Sequence, residues 1–347
     1  MATPPVHVTV SGRTDVGQTR DHNEDTFLVA DLSAGEVIAA PDAQPHPIGP
    51  RGSLFIVADG MGGAAAGELA SELAAETIHA HLASTWTTEP EPTREKFAFR
   101  VREAVEAANT RIHTYALEHP DVRGMGTTVT AAGVFGADLY LAQIGDSRAY
   151  LVRRGQATQL TKDQSLTQRL VDAGEMTEEQ AEKSERKNII LQALGPDPEV
   201  RVDLTYEPLR RGDVLILCSD GLSGQVRREE FAEHAGRLTD LDRLCSALID
   251  LANTRGGPDN ITVVAARFEG EGLPSNVTQL EPGHHVYALP GDEPPEDDIR
   301  VGFGTGETIS VARIPPPPPP VRARPPVGLI SAGVILLAAL VYYLIIR

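Results

Sequence analysis

Residues 127–153 read TTVTAAGVFGADLYLAQIGDSRAYLVR, and the fold class turns on them. The runs 127–134, 138–145 and 148–153 are rich in β-branched and apolar side chains, and glycine or an acid bounds them, as expected of strands. Gly136-Ala137 and Gly145-Asp146 sit where tight turns belong, which predicts an antiparallel meander. Upstream lie two helical stripes: Leu69, Leu73, Ile78 and Leu82 within 66–83, then Phe97, Val101, Val105, Ala108, Ile112 and Tyr115 within 95–118. Further out, TFLVA at 26–30, LFIVA at 54–58, DVLILCS at 213–219 and ITVVAARF at 261–268 read as strands. Leu241, Leu244, Leu248 and Leu251 mark a third helix over 240–253. A helix pair followed by a meander does not alternate as a parallel βαβ chain does. An α+β arrangement of packed antiparallel sheets flanked by helices is therefore expected, with residues 165–208 as a mobile excursion over one face.

The C-terminal part of the chain is of a different kind. Residues 269–326 hold 13 of the 26 prolines and the acidic run DEPPEDD, too little apolar surface to fold, and read as a stiff disordered tether. Val327–Ile346 contains no charge over twenty residues; at about 1.5 Å per residue it spans roughly the 30 Å of a bilayer core. Tyr342 and Tyr343 lie near its far end, and Arg322 and Arg324 precede it. A single-pass transmembrane helix in the inner membrane is expected, with everything before it cytoplasmic. No basic region followed by an apolar core opens the chain, so secretion is not expected. With 31 basic and 49 acidic residues the net charge is −18, which argues against a nucleic-acid partner. Two cysteines are too few for a disulfide scaffold.

The chemical signal is the placement of the acids. Glu24 and Asp25 precede one strand, Asp59 follows LFIVA and leads into Gly60, Asp146 closes a strand, Asp220 follows DVLILCS and Asp259 opens ITVVAARF. One aspartate after a strand is ordinarily a turn or cap residue. Five acidic positions at strand mouths are what Mg²⁺ or Mn²⁺, which require oxygen donors, would need. The glycines after Asp59 permit a close backbone approach and could aim the Gly60 carbonyl at a cation. Arg20, five residues before Asp25, supplies a fork of donors matched to a phosphoryl group.

RDHNED at 20–25, VADGMGG at 57–63, GTT at 126–128, IGDSRAYL at 144–151, LTKDQS at 160–165, CSDGL at 218–222 and PDNITVV at 258–264 follow one another in order. In these motifs residues 7–268 resemble the metal-dependent protein Ser/Thr phosphatases of the protein phosphatase 2C (PP2C, or PPM) family, especially the bacterial, membrane-anchored type. The resemblance implies a four-layer α-β-β-α sandwich over residues 1–268, with 165–208 as the family's variable flap. It implies two Mn²⁺ or Mg²⁺ ions and a third, weaker one. Asp59 would bridge the pair, with Asp220 and Asp259 on the first ion and the Gly60 carbonyl on the second. Asp25 would hold the cluster, Asp146 would serve the third ion together with Asp220, Glu24 would act through a water, and Arg20 would bind the substrate phosphate. Asn260 is expected to be structural. The implied activity is hydrolysis of phosphoserine and phosphothreonine in proteins, opposing a bacterial Ser/Thr kinase. Alternatives are a catalytically weak phosphoprotein-binding scaffold, or a phosphatase of small phosphomonoesters or anti-sigma-factor antagonists.

Two positions depart from the family pattern. Met61 stands where many eukaryotic relatives carry a histidine proposed as general acid, which leaves a water on the third metal near Asp146 as the leading proton source and His22 as a lesser one. Gln164 stands where a histidine is common. Cysteine-phosphatase chemistry is excluded, because an arginine must follow the cysteine by six positions, whereas Cys218 leads to Gly224 and Cys245 to Leu251.

Overall fold

The structure is a computed structural model and describes residues 4–38, 44–275, 281–290 and 292. Thirteen strands run in chain order as β1 His7–Asp15, β2 Asp25–Asp31, β3 Glu36–Val37, β4 His46–Pro47, β5 Ser53–Met61, β6 Gly126–Thr127, β7 Val129–Phe135, β8 Asp138–Ile144, β9 Arg148–Arg153, β10 Gln156–Gln159, β11 Asp203–Pro208, β12 Val214–Cys218 and β13 Ile261–Glu269. The helices are α1 Ala64–Thr85, α2 Arg94–Glu118, α3 Leu166–Asp172, α4 Glu178–Glu182, α5 Asp220–Ser223, α6 Arg228–Arg237 and α7 Leu241–Thr254. One sheet has the order β10-β9-β12-β13-β1-β4, the other β11-β8-β7-β5-β2-β3 with β6 paired to β5. Every pairing is antiparallel.

Strand alternation explains why LFIVA is apolar throughout. Leu54 and Ile56 point to one face and pack with Ile78, Leu82, Phe97 and Val101 of α1 and α2. Phe55 and Val57 point to the other and meet Leu217, Val264 and Phe268 of the opposite sheet. On the far side of that sheet Ile216, Val263 and Ala265 pack against Phe231, Leu244 and Leu248 of α6 and α7. Three cores in a row make four layers, α-β-β-α. Thr93, at the start of α2, accepts from the Lys96 backbone N–H, as an N-cap should.

The turn reading at Gly136-Ala137 holds: β7 and β8 form a hairpin there. At Gly145-Asp146 it does not. β8 lies in one sheet and β9 in the other, so this turn carries the chain between sheets and the meander is broken. Residues 203–208, assigned to the excursion, form edge strand β11 on β8; their apolar content is too sparse to announce a strand whose outer edge is covered by other means. The boundary at 268 is also too early. Tyr206 N–H donates to His285 O (2.9 Å), and Tyr287 N–H donates to Leu204 O (2.7 Å). Leu289 is buried in the α1–α2 core and Tyr287 meets the Tyr140 ring edge-on at 5.3 Å. The proline count hid this strap, because its two apolar anchors lie only two residues apart. Residues 276–280, 291 and 293–326 of the tether and the apolar stretch 327–346 lie outside the described residues. Among the described residues no helix is long and apolar enough to cross a membrane.

Candidate metal centre

Register alone gathers the acids. Asp25 opens β2 directly opposite Asp59 near the end of β5. Like charges facing each other across an antiparallel pair destabilise a sheet, so this pair serves something other than folding. β12 ends at Cys218, opposite Val263 near the start of β13. Asp220 therefore lies just past one strand and Asp259 just before its neighbour, at the same edge. Cys218 also faces Arg148, the first residue of β9, two positions after Asp146. Ser219 Oγ donates to Asp25 Oδ2 at 2.8 Å and joins the two sheets at this end.

Burial, then the charges of Asp25, Asp220, Asp146 and Asp259, push the Asp59 carboxyl well above its ordinary range. Burial raises Asp25 to about 7, with Asp220 and Asp259 adding to it against the Thr262 and Ser219 hydroxyls. Asp146 reaches about 7 by burial and by Asp220 and Asp163. Burial and Asp259 raise Asp220, opposed by Arg148 and by Lys187 of the flap, and its carboxyl comes within hydrogen-bonding reach of Asp59. Arg20 stands at the rim, half exposed, its guanidinium 2.8 Å from Asp259 Oδ2. Burial also raises Glu24, with Arg20 opposing.

Among the described residues no group of three acidic, histidine or cysteine side chains stands arranged to hold an ion. The donor set nonetheless fits divalent cations that favour oxygen. Asp25 Oδ1 is buried with no hydrogen-bond partner, an arrangement costly for a carboxylate unless a cation faces it. The Gly60 backbone packs where no side chain fits: a Cβ there would stand 2.1 Å from Gly67 O and 2.6 Å from Glu24 O.

Several supporting residues escaped the sequence reading. Thr128 Oγ1 accepts from Asp59 N–H (3.1 Å), Thr128 N–H donates to Asp59 O (2.9 Å), and its hydroxyl meets Ser147 Oγ at 2.7 Å. Thr128 thus ties the Asp59 strand end to the Asp146 turn. Arg148 holds Asp163 with two nitrogens, at 3.0 and 2.7 Å. Their signal was present as motif membership, but hydroxyls and paired charges carry no distinctive spacing. Asn260 Oδ1 accepts from Glu24 N–H (2.9 Å), while its Nδ2 donates to Val16 O (3.0 Å) and His22 O (2.8 Å). The His22 residue is exposed. Cys218 is buried and its thiol is pushed up to about 12, a core residue and no nucleophile.

A family model described as Protein phosphatase 2C matches residues 21–254. The chain belongs to the protein phosphatase 2C family. It is 39% identical over 253 residues to the serine/threonine phosphatase stp of Listeria monocytogenes, covering 73% of this chain and 92% of that one. It is 44% identical over 213 residues to the serine/threonine protein phosphatase PstP of Mycobacterium tuberculosis, covering 61% of this chain and 40% of that one. Among solved structures, the S. agalactiae serine/threonine phosphatase superposes with a TM-score of 0.65 at 34% identity, over 75% of this chain and 99% of that one. The PstP catalytic domain in complex with two manganese ions gives 0.61 at 38% identity, over 76% and 99%. The paired sheets and flanking helices of this phosphatase 2C chain accord with those structures.

Proposed function

We propose that this phosphatase 2C chain hydrolyses phosphoserine and phosphothreonine in proteins with water activated by two Mn²⁺ or Mg²⁺ ions, and that it opposes a Ser/Thr kinase in bacterial signalling. The observation that carries the reading is Asp25 facing Asp59 in strand register with a buried, unpartnered carboxylate oxygen. Asp59, Asp220, Asp259, Asp25 and the Gly60 carbonyl would hold the pair of ions, and Asp146 with Asp220 a third, weaker one. Bound there, divalent cations supply the Lewis acidity that brings a water nucleophile within reach of neutral pH. Arg20 then binds and orients the phosphoryl oxygens. Its partner Asp259 is also one of the residues that would hold an ion, and with Asp259 so engaged the guanidinium fork would be free for substrate. Asn260 fixes the loop that carries Arg20 and Glu24, and Thr128 fixes the strand end that carries Asp59. Residues 327–346 tether this domain to the cytoplasmic face of the inner membrane.

The test is phosphate release from a phosphothreonine peptide in Mn²⁺. Turnover abolished by EDTA and restored by added Mn²⁺ is the expected result; turnover indifferent to the chelator would refute the reading.

A further inference from the structure

One half-buried side chain beside the acids serves two elements at once. Gln164 follows Asp163 and opens the flap, the excursion that carries α3 and α4. Its Oε1 accepts from Gly145 N–H at 2.9 Å and from Gln192 Nε2 at 3.0 Å. Its backbone N–H donates to Gly145 O (2.9 Å), and its carbonyl accepts from Leu191 N–H (2.8 Å). Gln192 in turn grips the backbone of Arg201, donating to its carbonyl at 2.9 Å and accepting from its N–H at 2.6 Å. The result is a continuous line of amides from Gly145 through Gln164 and Gln192 to Arg201. At one end it touches the residue before Asp146, and at the other the limb of the flap that runs into β11.

The turn at Gly145 has little slack. Gly145 is in the left-handed region at φ +93°, and a Cβ there would stand 2.6 Å from Thr128 Cγ2. From inside the fold, Gln143 Nε2 donates to Gly145 O (3.1 Å) and Ser147 O (2.7 Å). Gln164 clamps the same turn from outside, and of the two glutamines only Gln164 also holds the flap. A tightly held turn transmits the displacement of a neighbour instead of absorbing it.

We propose that Gln164 is a positioning residue for the phosphatase reaction, its amide fixing the returning limb of the flap and the Gly145–Asp146 turn in one register. Flap displacement and the placement of Asp146 are then a single event. This rests on the reading of Asp146 as a metal ligand.

The experiment compares the full chain in detergent with its Gln164→Ala, Gln192→Ala and Gln164→Glu variants. Mn²⁺ affinity is read by calorimetry, independently of turnover, and flap opening by the rate of tryptic cleavage after the exposed Arg186 and Lys187. Gln164→Ala is expected to weaken the lowest-affinity Mn²⁺ site about tenfold, as loss of a residue that orients a ligand does. It should also speed cleavage about fivefold, the ratio that one lost hydrogen bond commands. Gln192→Ala, which frees the flap alone, should speed cleavage and leave Mn²⁺ affinity at the parental value. Gln164→Glu keeps the acceptor oxygen and should retain parental cleavage. If Gln164→Ala does not fold, Gln164→Asn, shorter by one methylene, gives the same comparison. Gln164→Ala, or Gln164→Asn in its place, with a Mn²⁺ affinity matching that of Gln192→Ala overturns this proposal alone; a parent that binds no Mn²⁺ overturns the metal reading and this proposal with it.

Discussion

Asp25 and Asp59 face each other across two strands, and folding alone offers no return for that repulsion. Exchanging Asp59 for asparagine removes the acid that four neighbouring carboxylates oppose. Asp59→Asn is expected to lose turnover by about 10³-fold, the scale of losing a group that stabilises transition-state charge. In EDTA the same variant should melt no lower than the parent, because the buried charge is gone; a lower melting temperature in EDTA counts against the assignment. The raised acids also set a pH dependence. Asp25 and Asp146 titrate at about 7 when folded and near 4 when unfolded. Between these values the folded state holds more protons, so stability of the metal-free domain falls as pH rises from about 4 to about 7. Burial lowers the His79 pKa and so opposes this trend below about 6.5, one group against several. Glu230, held at about 2 by Arg255, adds stability that is lost only below about 4 and leaves the window untouched. Urea midpoints in EDTA should therefore rise from pH 7.5 to pH 5. With Mn²⁺ they should fall over the same range, as protons displace the ion.

The element that most changes the picture of the chain is the strap at 281–292. It covers the open edge of β11 with two backbone hydrogen bonds, the buried Leu289 and the ring of Tyr287, and Asp292 closes it with a 2.6 Å ion pair to Arg102. An uncovered edge strand invites pairing with another chain. Leu289→Ala is expected to cost about 2–3 kcal/mol, which lowers the melting temperature by about 5–10 °C for a domain of this size. A tether that packs nowhere would leave the melting temperature unchanged, so one thermal scan distinguishes the two.

At the scale of the whole molecule, the proposed division of labour is a catalytic domain, a tether and an anchor. The full chain is expected to sediment with membranes and to be released by detergent but not by high salt, since apolar burial is insensitive to ionic screening. A chain ending after residue 292 should remain in the supernatant and keep EDTA-sensitive turnover. Recovery of the full chain in the supernatant without detergent would remove the anchor from the account.

Apolar periodicity by itself determined the long helices to within two residues at either end, as at 66–83 against Ala64–Thr85 and 95–118 against Arg94–Glu118. It also determined the strands of the sandwich interior, because burial on both faces leaves a continuous apolar run. The ordered motifs gave the acids of the site. Only the tertiary structure decided that Gly145–Asp146 crosses between sheets, since a turn within a hairpin and a turn between layers use the same residues. It likewise decided which hydroxyls and amides hold the acids, and that a proline-flanked strap completes the domain. Such contacts join positions as far apart as Glu24 and Asn260, and no local pattern records a pairing made at that separation.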